Sequence, residues 1–426
     1  MESDDPLSED KPAASASLFS RFGVELEYMI VDARSLDVRP IADELLAAAA
    51  GEITGEVERG DVTWSNELVA HVVEFKVTEP ARALADLPGV FQREVREANA
   101  LLAPLGARLM PGGMHPWMNP LCDTKLWSHE FNEVYEAFDR IFGCQGHGWS
   151  NLQSVHLNLP FADDDEFGRL HAAIRLVLPI LPGLTASSPV IDGRLSGVLD
   201  NRLEVYRTNS RKVPMVAGRV IPEPVFTRAA YETDILQQLY AAIAPHDPAG
   251  VLQYEWLNAR GAIARFMRNT IEIRVMDVQE CPEADVAICA AVVALLRALI
   301  AGRFAPLGRQ QSVAIEPLEA IFLAAIRDAD QSLITDADYL ALFDGPVVPC
   351  TVGDLWRRLI ETLLTDGLLD PRWQPTLEII LREGPLARRL TNALKSAHFA
   401  ATTRESLQPL YAQLCDCLDA GRIFRA

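Results

Sequence analysis

Four short stretches of this chain place carboxylate, imidazole and guanidinium groups at spacings that suit cation and phosphate chemistry. The first is Arg21-Phe22-Gly23-Val24-Glu25-Leu26-Glu27-Tyr28-Met29-Ile30-Val31-Asp32. Val24, Leu26, Tyr28 and Ile30 alternate with Glu25, Glu27 and Met29, the period of a strand. Glu25 and Glu27 therefore leave one face and the apolar residues the other. Two carboxylates roughly 7 Å apart on one face repel each other unless they look into water or share a cation. The alternation alone leaves both readings open, because E-x-E is a common pattern.

The second stretch, Asn66 to Val77, carries Glu67 and Glu74. Seven is an odd spacing, so on an unbroken strand the two would face opposite sides. They serve one site only if the chain bends or turns between them. In the third, Ser154, His156 and Asn158 share a face against Val155, Leu157 and Leu159. In the fourth, Glu272 and Arg274 share a face against Ile271, Ile273 and Val275. Together they imply a sheet with one packed face and one face lined by hard ligands. Such ligands suit Mg²⁺ or Mn²⁺, which bind together with phosphates.

The elements that must position these groups follow from the rest of the pattern. Strands are expected at 21–32, twice within 52–78, and at 107–110, 152–159, 251–257 and 263–278. Helices are expected at 41–50, 81–103 (opened by Pro80), 127–142, 167–181, 228–244 and 282–301. Pro111 to Pro116 is too rich in Pro and Gly for regular structure. A long irregular stretch up to Pro224 carries Arg202, Arg207, Arg211 and Arg219. Beyond Pro306 strand signals nearly vanish, and helical periodicity runs through 311–328, 352–365, 374–383, 386–397 and 403–420. The expected fold is α+β: a curved, mostly antiparallel sheet with helices on its outer face. The expected division is an acidic, disordered tail at 1–19, a catalytic unit at 20–305, and a helical region at 306–426 packed on it.

Composition sets further bounds. The 426 residues are 49% hydrophobic, enough for a substantial core, and the formal net charge is −20. No basic stripe is present to neutralise a nucleic-acid backbone. No apolar run reaches the length of a membrane span, and acidic residues stand where a signal peptide would be basic, so a cytoplasmic location is expected. The seven cysteines are odd in number and lack zinc-finger spacing, so they read as reduced thiols. His71, His129, His171, His246 and His398 read as ordinary; His115, beside Trp117, reads as either structural or substrate-lining.

At this point the residues carry a resemblance. Gly23-Val24-Glu25-Leu26-Glu27 resembles the opening G-x-E-x-E strand of the glutamate–cysteine ligase family, in its second, bacterial carboxylate–amine ligase branch. Pro111-Gly112-Gly113-Met114-His115-Pro116 resembles that family's P-x-G-G-T-H-P loop, and Leu184-Thr185-Ala186-Ser187-Ser188-Pro189 its L-x-A-S-S-P turn. Thr270 to Asp277 resembles its T-x-E-x-R-x-x-D strand. The chain departs at Ser154, where many members have the first histidine of a His-Val-His-Val strand, and at Met114, where the loop usually has Thr. Its His156-x-Asn158 resembles the H-x-N version of more distant ligases.

The resemblance implies a glutamine-synthetase-like catalytic fold and ATP-dependent ligation of a carboxylate to an amine through an acyl phosphate. It implies that Glu25, Glu27, Glu67, Glu74, His156 and Glu272 hold Mg²⁺ or Mn²⁺. Arg274 and Arg207 would contact phosphates or the substrate carboxylate, as guanidinium binds such oxygens bidentately. It implies small amino-acid and amine substrates, and a homodimer as the family's frequent state. The competing expectations are the same chemistry on another acid and amine, a metal-dependent hydrolase, and a binding protein without turnover.

Overall fold

The computed structural model describes residues 16–130, 132–345, 347–396 and 402–425. Most of the expected N-terminal tail, and His398, lie outside these residues. At the centre is an antiparallel sheet of eight strands. In chain order they are β1 (Gly23–Asp32), β2 (Glu56–Glu58), β3 (Val62–Asn66), β4 (Val72–Val77), β5 (Ala107–Met110) and β6 (Ser154–Pro160), then β9 (Ala262–Arg265) and β10 (Thr270–Asp277). A separate small hairpin, β7 (Val190–Ile191) and β8 (Arg194–Leu195), intervenes. The spatial order is β2-β3-β4-β1-β6-β10-β9, with β5 also paired to β1; the sheet is open.

The strand alternation decides which face is packed. Val24, Leu26, Tyr28, Trp64, Phe75, Val155, Leu157, Ile271 and Ile273 are all buried in one apolar cluster. Helices Leu87–Leu102, Asp164–Val177 and Pro282–Ile300 cover that face. The last of these is apolar nearly all round and is buried along almost its whole length, as expected of a helix with protein on every side. Leu318, Trp356 and Leu377, from helices after residue 306, belong to the same cluster. Helices Leu386–Ser396 and Arg404–Ala420 pack a second cluster against Met29, Val31 and Met110. A buried Arg389–Glu280 ion pair ties this end of the chain to the segment after β10, and the Phe424 carbonyl accepts from the same guanidinium.

The α+β architecture is as expected, but several elements differ. Residues 52–78 form three strands, with a turn between Asn66 and Val72 that a bridge from Val69 to Leu126 holds apart. The helix expected from Pro80 begins at Leu87, because Ala81 exchanges both backbone hydrogen bonds with Phe22 at 2.8 Å and so stays extended. No strand forms at 251–257: the Asp247 carboxylate accepts from the Leu252 and Val251 amides, while the apolar residues pack against Val216 and Leu239. The strand expected at 263–278 is a hairpin, turned at Asn269 with φ 51°. The stretch before Pro224 contains a helix, Asn201–Asn209, capped by the Asp200 side chain. Only Leu203, Val205 and Tyr206 are apolar in it, too few to show a helical period in the sequence.

Candidate active site

The face opposite the core lines a cavity of about 560 Å³. Strand register brings the predicted groups there. On β1, Glu25 sits directly opposite His156 of β6, and Glu27 opposite Glu74 of β4. Glu272 of β10 pairs with Asn158 of β6. Glu67 follows β3, and the turn before β4 resolves its odd spacing from Glu74. Between Ile273 and Met276 the register slips by one residue, a bulge that contains Arg274. Glu25, Glu27, Glu67, Glu74, His156, Glu272 and Arg274 all line the cavity.

His156 is the hub. Its Nδ1 lies 2.8 Å from Glu25 Oε2, and its Nε2 lies 3.0 Å from Ser154 Oγ and 3.5 Å from Glu27 Oε1. Asn158 Nδ2 donates to the other Glu25 oxygen at 2.8 Å. Ser154 donates to Glu27 Oε2 twice, from its amide at 2.7 Å and its hydroxyl at 3.0 Å. Ser65 donates to Glu74 at 2.8 Å. Glu272 is held between Arg274, at 2.9 Å, and Arg265, at 3.3 Å.

The electrostatics follow from crowding acids in a buried place. Burial first, and then the Glu27 charge, push the Glu67 carboxyl up to about 7. Burial, followed by the charges of Glu25 and Glu67, holds Glu74 well above the usual carboxylate range. Burial would also raise Glu25, but the His156 hydrogen bond and charge overcome it and hold that carboxyl far below. For His156, burial disfavours the imidazolium, yet the Glu25 hydrogen bond and the surrounding carboxylates raise it to about 9.

These donors fit a divalent cation. One ligand atom from each of Glu25, Glu74 and His156 lies within 4.8 Å of the others, and the same holds for Glu27, Glu67 and Glu74. The oxygen-rich set suits a hard ion, and the acids that burial leaves poorly compensated lack a counter-charge that such an ion brings. His156 must lose its proton to act as a ligand, so coordination of an ion by it would release a proton.

A family profile described as glutamate–cysteine ligase family 2 matches residues 21–411, the span that holds every one of these strands. The chain belongs to this family. A protein of Archaeoglobus fulgidus, described only as uncharacterized, is 39% identical over 65% of this chain and 74% of its own. A putative glutamate–cysteine ligase 2 of Bordetella parapertussis is 27% identical over 85% of this chain and 83% of its own. Among solved structures, the glutamate–cysteine ligase of Francisella tularensis in complex with AMP superposes with a TM-score of 0.58. It covers 96% of this chain and 90% of its own at 11% identity, which is a likeness of fold.

Against the family pattern, Ser154 keeps a role in the cavity by fixing Glu27 and bridging to His156. Met114 and His115 are buried away from it, with His115 Nε2 on the Leu36 carbonyl at 2.7 Å. Arg207 is not brought to the cavity: it forms an exposed pair with Glu204 at 2.7 Å, three residues back on its helix. Arg202, one turn and a half earlier, lines the cavity instead. Its side chain is 3% exposed, paired to Asp277 at 3.3 Å and donating to the Arg274 carbonyl at 2.7 Å. Asp277 is itself fixed by the amide and hydroxyl of Ser187 and by the Ser188 hydroxyl. Lys76 also lines the cavity, 3.9 Å from Glu74. Its two-residue spacing from Glu74 was a usable signal. Arg265 comes from across a hairpin, and no local pattern announces it.

Proposed function

We propose that this member of glutamate–cysteine ligase family 2 is an ATP-dependent carboxylate–amine ligase that forms its amide through an acyl phosphate. The observation that carries the reading is the cavity floor: Glu25, Glu27, Glu67, Glu74, Glu272 and His156 converge on one sheet face, with Arg274, Arg265 and Arg202 beside them. Family membership supports a ligase; glutamate and cysteine are the first substrate pair to try.

In the reaction, a substrate carboxylate oxygen takes the γ-phosphoryl group of ATP and ADP departs. The amine nitrogen then forms the C–N bond, the C–O bond to phosphate breaks, and the amine loses a proton. The six floor residues would hold Mg²⁺ or Mn²⁺, which supplies neutralisation of phosphate charge. Arg274 and Arg202 present guanidinium groups for phosphate or carboxylate oxygens. Glu272 fixes Arg274 through their 2.9 Å ion pair. The bulge at Arg274 and the Asp277 pairing of Arg202 hold these groups before substrate arrives, which is what electrostatic catalysis requires. No side chain need act as a nucleophile.

The test is ADP release by purified protein with Mg²⁺-ATP, an amino acid and an amine. ADP release that requires both organic substrates supports ligation. Release independent of the amine identifies a hydrolase and overturns the proposal.

A further inference from the structure

Besides the acidic floor, the cavity has an apolar wall that suits neither divalent cations nor phosphates. Helix Asn132–Phe142 supplies Val134, Tyr135 and Phe138 to the lining, and Trp149, Trp256 and Leu257 are among its other apolar residues. The rings form a connected set: Phe138 lies 5.3 Å from Trp149 and 5.8 Å from Trp256 between centroids. Trp149 stacks on Phe142 at 5.3 Å, and Trp256 on Tyr254 at 5.7 Å. Rings braced from behind in this way make a stiff surface, suited to the flat or branched apolar body of a ligand.

The wall joins the floor at Tyr135. Asn66 Nδ2 donates to the Tyr135 hydroxyl at 3.1 Å, and Asn66 is the neighbour of Glu67 in sequence. Burial, and then the Glu67 charge, push the Tyr135 phenol up and keep it neutral. The apolar wall therefore ends beside Glu67, whose carboxyl oxygens can accept a hydrogen bond. The complement of that pair of surfaces is a molecule with an amine N–H donor at one end and an apolar ring at the other.

We infer that the wall is the acceptor subsite and that the preferred amine carries an aromatic body, its nitrogen directed at the Glu67 end. The role as acceptor rests on the ligase reading; binding to the wall does not. A small polar amine would leave the rings facing water, at a loss that apolar burial of a larger amine recovers.

The experiment uses the full chain with 2-phenylethylamine, ethylamine and L-cysteine as probes. Trp149 and Trp256 report binding through their own fluorescence, first without nucleotide. The expected result is saturable quenching by 2-phenylethylamine, at least tenfold tighter than by ethylamine. Phe138→Ala should weaken it about tenfold, the loss of one aromatic contact. Phe138→Leu, which keeps apolar volume, guards against a misfolded variant and should weaken it less. The ATP-induced rise in Tm should persist in both variants. Equal affinity for ethylamine, or tighter binding of L-cysteine, would overturn the inference. So would a fluorescence change elicited by ATP or ADP alone and lost in Phe138→Ala, which would make the wall an adenine cradle. Amine binding without ADP release in the separate turnover assay would uphold the wall and sink the ligase reading instead.

Discussion

Replacing Glu67 by Gln should make the metal-free protein more stable, and by an amount that depends on pH. Glu67 has an ordinary pKa of 4.5, raised to about 7 in the fold by burial and then by the Glu27 charge. A raised carboxyl binds more protons folded than unfolded between those values, so stability falls as pH rises from 4.5 through 7. At 1.36 kcal/mol per pH unit the penalty is about 1 kcal/mol at pH 5 and about 3 kcal/mol at pH 7, and flat above. Solvent at the cavity mouth makes these upper figures. Gln keeps the shape and cannot ionise. In EDTA, urea unfolding of Glu67→Gln should therefore show a gain over the unmodified chain of about 2–3 kcal/mol at pH 8 and less than about 1 kcal/mol at pH 5. With Mg²⁺ or Mn²⁺ replacing EDTA the order should narrow or reverse, because a cation that binds the native state stabilises the intact acid cluster more. A variant less stable than the parent at pH 8 in EDTA, or a gain that does not change with pH, would refute the reasoning.

Glu272→Gln and Arg274→Lys should keep near-normal ligand-free Tm and lose turnover by roughly a hundredfold, with only the former raising the Mg²⁺ requirement; activity retained per folded molecule would make the pair structural. Arg207→Ala should change neither Tm nor turnover appreciably, since an exposed pair contributes about 0–1 kcal/mol and the residue lies off the cavity; a large kinetic loss would return Arg207 to the site. Gly113→Ala should destabilise by roughly 1–3 kcal/mol, because a Cβ there would stand 2.4 Å from the Asp277 carboxyl carbon; an unchanged urea midpoint would show that the Asp277 network yields freely. His171 is stacked on Phe167 and lowered to about 3, by burial and then by the Arg175 charge. It is neutral when folded, so the unfolded state takes up the proton below pH 6.5 and stability falls with falling pH. His171→Phe should accordingly gain about 2 kcal/mol over the parent on going from pH 7.5 to 5, and a pH-independent difference would contradict this.

Much of the site was legible because strand alternation is a two-state code. Once Leu26, Leu157 and Ile273 commit one face to the core, Glu25, Glu27, His156 and Glu272 have one place to go. Glu67 and Glu74 needed a chain reversal that the sequence permitted without locating; the turn after Asn66 supplies it. The helix carrying Arg202 and Arg207 was illegible because only Leu203, Val205 and Tyr206 are apolar in it, too few to set a period, and its 3.6-residue repeat puts those two arginines on different faces. Arg265 and the aromatic wall were illegible for another reason. Trp149, Trp256 and Phe138 come from separate segments, so their convergence is tertiary and leaves no local spacing. The false strand at 251–257 shows the converse limit: an apolar run records burial, and here the Asp247 carboxylate satisfies backbone donors that a strand partner would otherwise take.

In the proposed reaction the acidic floor couples ATP cleavage to amide formation. The most direct measurement is ADP release with Mg²⁺-ATP across paired pools of amino acids and amines, with mass analysis of the product. ADP should form in step with an amide, require acid, amine and divalent cation together, and fall by roughly a hundredfold in Glu272→Gln. ADP release without an amine, or no turnover with any pair despite a clear Mg²⁺-ATP shift in Tm, would contradict it.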